Sequence, residues 1–173
     1  MIQRSLAALL AVATPLPALA QPAQPPCITT AEAEQFFLAV APDLIIAAGT
    51  ACAVTLPPAA LLRRTDGPFL ADYRAAAEGA WPKAMAAVAK IAGPNAQALL
   101  SQSDLIRPMI GGLMAAELVG KMKPADCVRA DRMLTLLSPL PPQNLAAVAI
   151  AVVEATQAKR AKPTDKLRIC PAA

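Results

Sequence analysis

There is no histidine among the 173 residues. That excludes Ser–His and Cys–His nucleophilic sites, imidazole acid–base chemistry and histidine metal ligation. Aromatic residues make up only 3% of the chain. Phe36, Phe37, Phe69, Tyr73 and Trp81 are the whole set, so everything after Trp81 must pack with Leu, Ile, Val, Met and Ala. A surface that stacks on single-stranded nucleic acid interleaves basic residues with rings, and the second half has no rings. A nucleic-acid partner is not expected. No segment alternates at period two, so little or no sheet is expected. The cysteines include no Cys-x-x-Cys pair, which argues against a thioredoxin-like redox site and a paired-cysteine zinc site. The expectation is no catalytic constellation, no metal and no cofactor.

What is present begins with an address. Met1-Ile2-Gln3-Arg4 is followed by an apolar stretch, Ser5 to Ala13, then by Pro15 and Pro17, then by Ala18-Leu19-Ala20. A basic start, a short apolar run and small residues before a cut form a secretory signal pattern. The run is far shorter than the roughly 20 residues a bilayer span needs. Cleavage is expected after Ala20. Cys27 is preceded by Gln24-Pro25-Pro26 and not by a lipoprotein signal, so the mature chain reads as unlipidated. The organisation that follows is a signal peptide over 1–20, an extended leader over 21–30, a helical domain over 31–162 and a C-terminal tail over 163–173. The Ala/Pro-rich leader has a bacterial composition, and the expected location is a Gram-negative periplasm or the exterior.

An exported chain with an even number of cysteines implies disulfides. The four are Cys27, Cys52, Cys127 and Cys170. A helix over 31–53 would separate Cys27 from Cys52 by more than about 30 Å, whereas a disulfide needs Cα atoms within about 7 Å. Both bridges are therefore expected to join the N-terminal segment to the C-terminal half. Two pairings satisfy this: 27–170 with 52–127, or 27–127 with 52–170.

Alanine is abundant, and it has the highest helix propensity of any residue. The predicted fold is all-α, a compact bundle or array of about six to seven short helices tied by two disulfides. Thr29 or Thr30 caps the first helix, with Glu32 placed for a capping box. Pro42 should kink that helix or restart it. Leu44 to Leu62 carries no charge, but Gly49, Thr50, Thr55 and Pro57-Pro58 interrupt it, so no transmembrane span is expected in the mature chain. Helices are predicted over 68–80, 82–92 (a break falling at Trp81-Pro82), 95–101, 103–122, 127–137 and 142–160. Asp126 is expected to cap the sixth. Leu145–Val153 is apolar all round, which predicts the central, most buried helix.

Charge offers few candidates. The 16 basic and 12 acidic residues make the chain only mildly basic, weak grounds for a polyanionic partner. Lys159, Arg160, Lys162, Lys166 and Arg168 cluster near the end, opposed only by Asp165, and are a candidate contact for anionic lipid or cell-wall polymer. Glu117 lies in an otherwise apolar stretch; it is expected to face solvent on an amphipathic helix, the alternative being a half-buried carboxylate paired with Arg107, Arg129 or Arg132. Tyr73, Arg74 and Trp81 are a candidate pocket lining. The leading expectation is an exported, non-enzymatic binding or interaction module acting on an envelope protein or an anionic envelope polymer. The alternatives are a carrier of a small apolar ligand and a carboxylate-dependent hydrolase of envelope glycans.

Overall fold

The computed structural model describes residues 27–93, 103–158 and 168–170. The expected signal peptide over 1–20, its cleavage position and the predicted helix over 95–101 lie outside them. Five α-helices are present among the described residues: α1 (Thr30–Ala51), α2 (Pro68–Ala92), α3 (Ser103–Val119), α4 (Pro124–Leu137) and α5 (Pro142–Ala158). A short 3-10 turn, η1, spans Leu61–Arg63. There are no strands among the described residues, only an isolated parallel bridge between Ile28 and Ile169.

The start of α1 follows from its sequence. The Thr29 hydroxyl accepts from the Glu32 backbone N–H at 3.2 Å, and Glu32 accepts from the Thr29 N–H at 2.7 Å. That reciprocal pair satisfies two N–H groups the helix cannot satisfy itself. Glu32 also meets Lys90 of α2 at 3.0 Å, joining the start of α1 to the end of α2. The Thr29 N–H and the Lys90 ammonium hold the Glu32 carboxyl below its usual range.

Buried residues surround α1 on every side: Phe36, Leu38, Ala39, Val40, Ala41, Pro42, Ile45 and Gly49. A helix apolar all round belongs in the middle, and α1 packs against α2, α3, α5 and η1. By length and composition it could cross a bilayer, but half of that window is buried inside the fold. The expectation that Leu145–Val153 forms the central helix is corrected here. Leu145, Ala146 and Ile150 of α5 are buried, while Val148, Val152 and Val153 are exposed. That segment has the right composition but neighbours on one side only.

The prolines break less than expected. α1 runs through Pro42, and α2 runs through Pro82 as one helix of 25 residues. A helix-interior proline costs about 3 kcal/mol. Here Ala80, Trp81 and Ala84 flank Pro82 in one buried cluster with Phe36, Ala39 and Val40 of α1, and that packing offsets the lost hydrogen bond. Merging the two expected helices reduces the helix count. α3 ends at Val119, not near Met122. α4 begins at Pro124, so Asp126 lies inside its first turn and bonds back to the Lys123 N–H at 3.0 Å.

Two disulfides close the fold, Cys27–Cys170 and Cys52–Cys127. Of the two pairings open in the sequence, this is the one in which each bridge closes with Cα atoms 5.1 and 5.5 Å apart. The outer bridge works with backbone bonds: the Ile28 N–H donates to the Arg168 carbonyl at 2.9 Å and the Cys170 N–H to the Ile28 carbonyl at 2.8 Å. The inner bridge is sealed in a cluster with Ile45, Leu56, Leu62, Leu70, Tyr73 and Leu145. Two disulfides in one chain are the covalent chemistry of an oxidising, extracytoplasmic compartment.

Candidate functional site

Most acidic side chains whose surroundings are described serve the scaffold. Glu78 accepts from Arg107 at 2.7 Å, Asp131 accepts from the Leu62 backbone N–H at 2.9 Å, and Glu154 accepts from the Thr30 hydroxyl at 2.5 Å. Glu117 near the end of α3 pairs with Lys121 just beyond it, and both are exposed. Of the two readings of Glu117, the solvent-facing one holds and the half-buried pairing with an arginine does not form; Lys121 holds its carboxyl below the usual range. Among the described residues no cluster of His, Cys, Asp or Glu could hold a metal ion.

Arg107 takes a different position. Its guanidinium lies 5.2 Å from the Trp81 ring centre and bonds Glu78, so α3 clips onto α2 through a cation–π contact and a salt bridge. Tyr73 does not join them. It is buried in another cluster and meets Phe69 in a tilted ring contact with centroids 5.0 Å apart, while Arg74 is exposed. The candidate Tyr73–Arg74–Trp81 pocket lining is thus not brought together.

Two polar groups do stand out. The first is Asp43 in the middle of α1, half-buried against Gly111 of α3. A Cβ at Gly111 would lie only 2.1 Å from the Asp43 Oδ2. Burial raises the Asp43 pKa, and the Arg107 charge partly counters it. A carboxyl whose folded pKa exceeds its unfolded value holds its proton more tightly when folded. Folding is therefore favoured as pH falls through that window and penalised once Asp43 ionises above it. Asp43→Asn is expected to raise the melting temperature at neutral pH, with the gain vanishing below about pH 4, near the unfolded Asp value. Thermal melts across that range check this; a deficit that widens on acidification contradicts it.

The second is Tyr73. It is 1% exposed, and its hydroxyl has no hydrogen-bond partner among the described residues. Burial pushes its pKa up to about 12. A buried hydroxyl left unpaired costs about 1–3 kcal/mol.

The surface is the remaining candidate. Met109 and Leu113 on α3, Val128, Met133 and Leu136 on α4, and Val148 and Val152 on α5 are 45–69% exposed. On α4 the exposed apolar residues alternate with Arg129 and Arg132. Of the predicted basic cluster, Lys159, Arg160, Lys162 and Lys166 lie outside the described residues. Arg168 is half-buried beside the outer disulfide, its carbonyl bonded to Ile28. No signal in the sequence singled out the outer face of α4. No protein-family model matches this chain, and neither a curated protein nor a solved structure matches it.

Proposed function

We propose that this protein is an exported, non-enzymatic helical interaction module that works in the periplasm on an envelope protein or an anionic envelope polymer. The signal peptide is removed after Ala20 and the mature chain begins at Gln21. One observation carries the reading: a scaffold cross-linked by two disulfides holds large apolar side chains out to solvent on three helices. Exposed apolar side chains mark a contact site where they form a contiguous patch. A photocrosslinking residue placed at Leu113 or Val152 of the exported chain tests it. Discrete adducts are expected at those positions and not at Asp72, an exposed polar position on α2. Equal, background-level adducts at all three sites would defeat the reading.

A second reading, a carrier of a small apolar ligand, rests on Tyr73. An apolar molecule with one hydrogen-bond acceptor would satisfy its orphaned hydroxyl inside a cluster of Leu, Ile and Cys side chains. Native mass spectrometry of protein taken from its own envelope is expected to show a bound mass that Tyr73→Phe loses. If no mass is bound, the carrier reading ends.

A further inference from the structure

The outer face of α4 is built differently from the other exposed helix faces. At 100° per residue, Cys127, Ala130, Asp131, Leu134 and Leu137 share one side. That side is committed: Cys127 through its disulfide, Asp131 through the Leu62 N–H, and the other three by packing on the core. The opposite side cannot roll inward without breaking these links. It presents Val128, Arg129, Arg132, Met133 and Leu136 over an arc of about 140°. All five are exposed, with Val128 at 56%, Met133 at 60% and Leu136 at 69%.

The arc contains no acidic residue. Asp126 sits at its edge and reaches Arg129 at 3.4 Å, a pairing of two solvent-exposed groups that holds little. Arg132 makes no ion pair among the described residues. A convex ridge of apolar tips interleaved with arginines suits a surface that is anionic at one depth and hydrocarbon just below it. The guanidinium heads stay at the charged level while their aliphatic stems, and the neighbouring Val, Met and Leu, reach past it. A second copy of this chain is a poor occupant, because it would bring arginines against arginines.

We propose that the outer face of α4 docks on an anionic phospholipid bilayer, with Arg129 and Arg132 at the headgroups and Val128, Met133 and Leu136 in the interface. This rests on the interaction-module reading and names one of its partners.

The test uses the full mature chain with both disulfides formed. Co-sedimentation is measured with phosphatidylcholine vesicles, with and without phosphatidylglycerol, at low and high salt. Binding is expected only with phosphatidylglycerol and to weaken with salt. At about 1 kcal/mol per basic residue near the surface, Arg129→Gln with Arg132→Gln should weaken it by roughly thirty-fold. Leu136→Ser should weaken it with the charge unchanged. Leu136→Trp should give blue-shifted emission quenched by brominated lipid tails. Neutralising Lys159, Arg160, Lys162 and Lys166 together separates this face from the C-terminal cluster. If that variant loses binding while the arginine pair is dispensable, the assignment to α4 is overturned. It is also overturned if no anionic vesicle binds, or if the Leu136→Trp emission is unchanged on bound vesicles. Adducts at Leu113 or Val152 that persist without vesicle binding would leave the interaction module standing and remove only the bilayer.

Discussion

Replacing Cys52 and Cys127 together with alanine is expected to lower the unfolding free energy by about 4 kcal/mol, the chain-entropy value for a loop of this size. The bridge spans a sequence separation of 75 residues. A domain's whole stability is typically about 5–15 kcal/mol, so the variant should sit close to unfolding. The comparison with the outer bridge sharpens the prediction. Cys27–Cys170 spans 143 residues, and loop entropy alone ranks it the more stabilising. The native side reverses that order. Cys52 and Cys127 are 0% and 4% exposed and sit among core side chains, so truncating them adds a cavity cost to the entropic one. α4 also has little else to hold it, since its packing on the body runs mainly through η1. Urea unfolding should give a larger loss for the inner pair than for Cys27→Ala with Cys170→Ala. Hydrogen exchange should show α4 losing protection first. An inner-pair variant as stable as the parent would mean that α4 is held by something other than this bridge.

The helical class, the capping box at Thr29 and Glu32, and the joining of the two chain halves by disulfide were legible because each depends on local chemistry or a single distance. A capping box needs two residues three apart. Excluding a 27–52 bridge needed only the rise of a helix. Choosing between the two remaining pairings needed the packing of α4 against η1, which no local pattern encodes. The same limit explains Pro82. Proline chemistry predicts a stop, and the stop is overridden by Trp81 and Ala84 burying against α1, a contact across more than forty residues of chain.

The confusion between α1 and α5 is more instructive. Both are apolar on most of their circumference, and composition alone ranks Leu145–Val153 as the more buried. Burial is decided by how many neighbours surround a helix. α1 has them on all sides, whereas α5 meets α1 and α2 with one face. The exposed valines of α5 thus passed as core in the sequence, and the outer residues of α4 were not singled out. Their significance appears only once the inner faces are accounted for. Gly49 was hidden in a similar way: it read as an interruption in an uncharged stretch, when its role is to let another segment approach.

Gly49→Ala is expected to destabilise the protein by about 1–2 kcal/mol net, an overpacking cost of about 2–3 kcal/mol set against alanine's helix propensity advantage of about 1 kcal/mol. A Cβ at Gly49 would lie 2.2 Å from the Leu62 carbonyl oxygen and 3.2 Å from its carbon. That backbone cannot easily retreat. The Leu62 N–H is held by Asp131, the Leu62 side chain is 1% exposed, and the Arg63 guanidinium ties the turn back to the Leu56 carbonyl at 3.0 Å. Gly79 in α2 is the internal control: it is exposed, and a Cβ there meets nothing within 4 Å. Gly79→Ala should therefore stabilise by about 0.5–1 kcal/mol on propensity alone. The two alanines, identical in chemistry, are expected to move the denaturation midpoint in opposite directions. A double-mutant cycle with Asp131→Ala localises the cause. Freeing the Leu62 N–H lets η1 shift, so Gly49→Ala should cost less in that background than in the parent. Equal costs in both would place the strain elsewhere than at the crossing of α1 with η1.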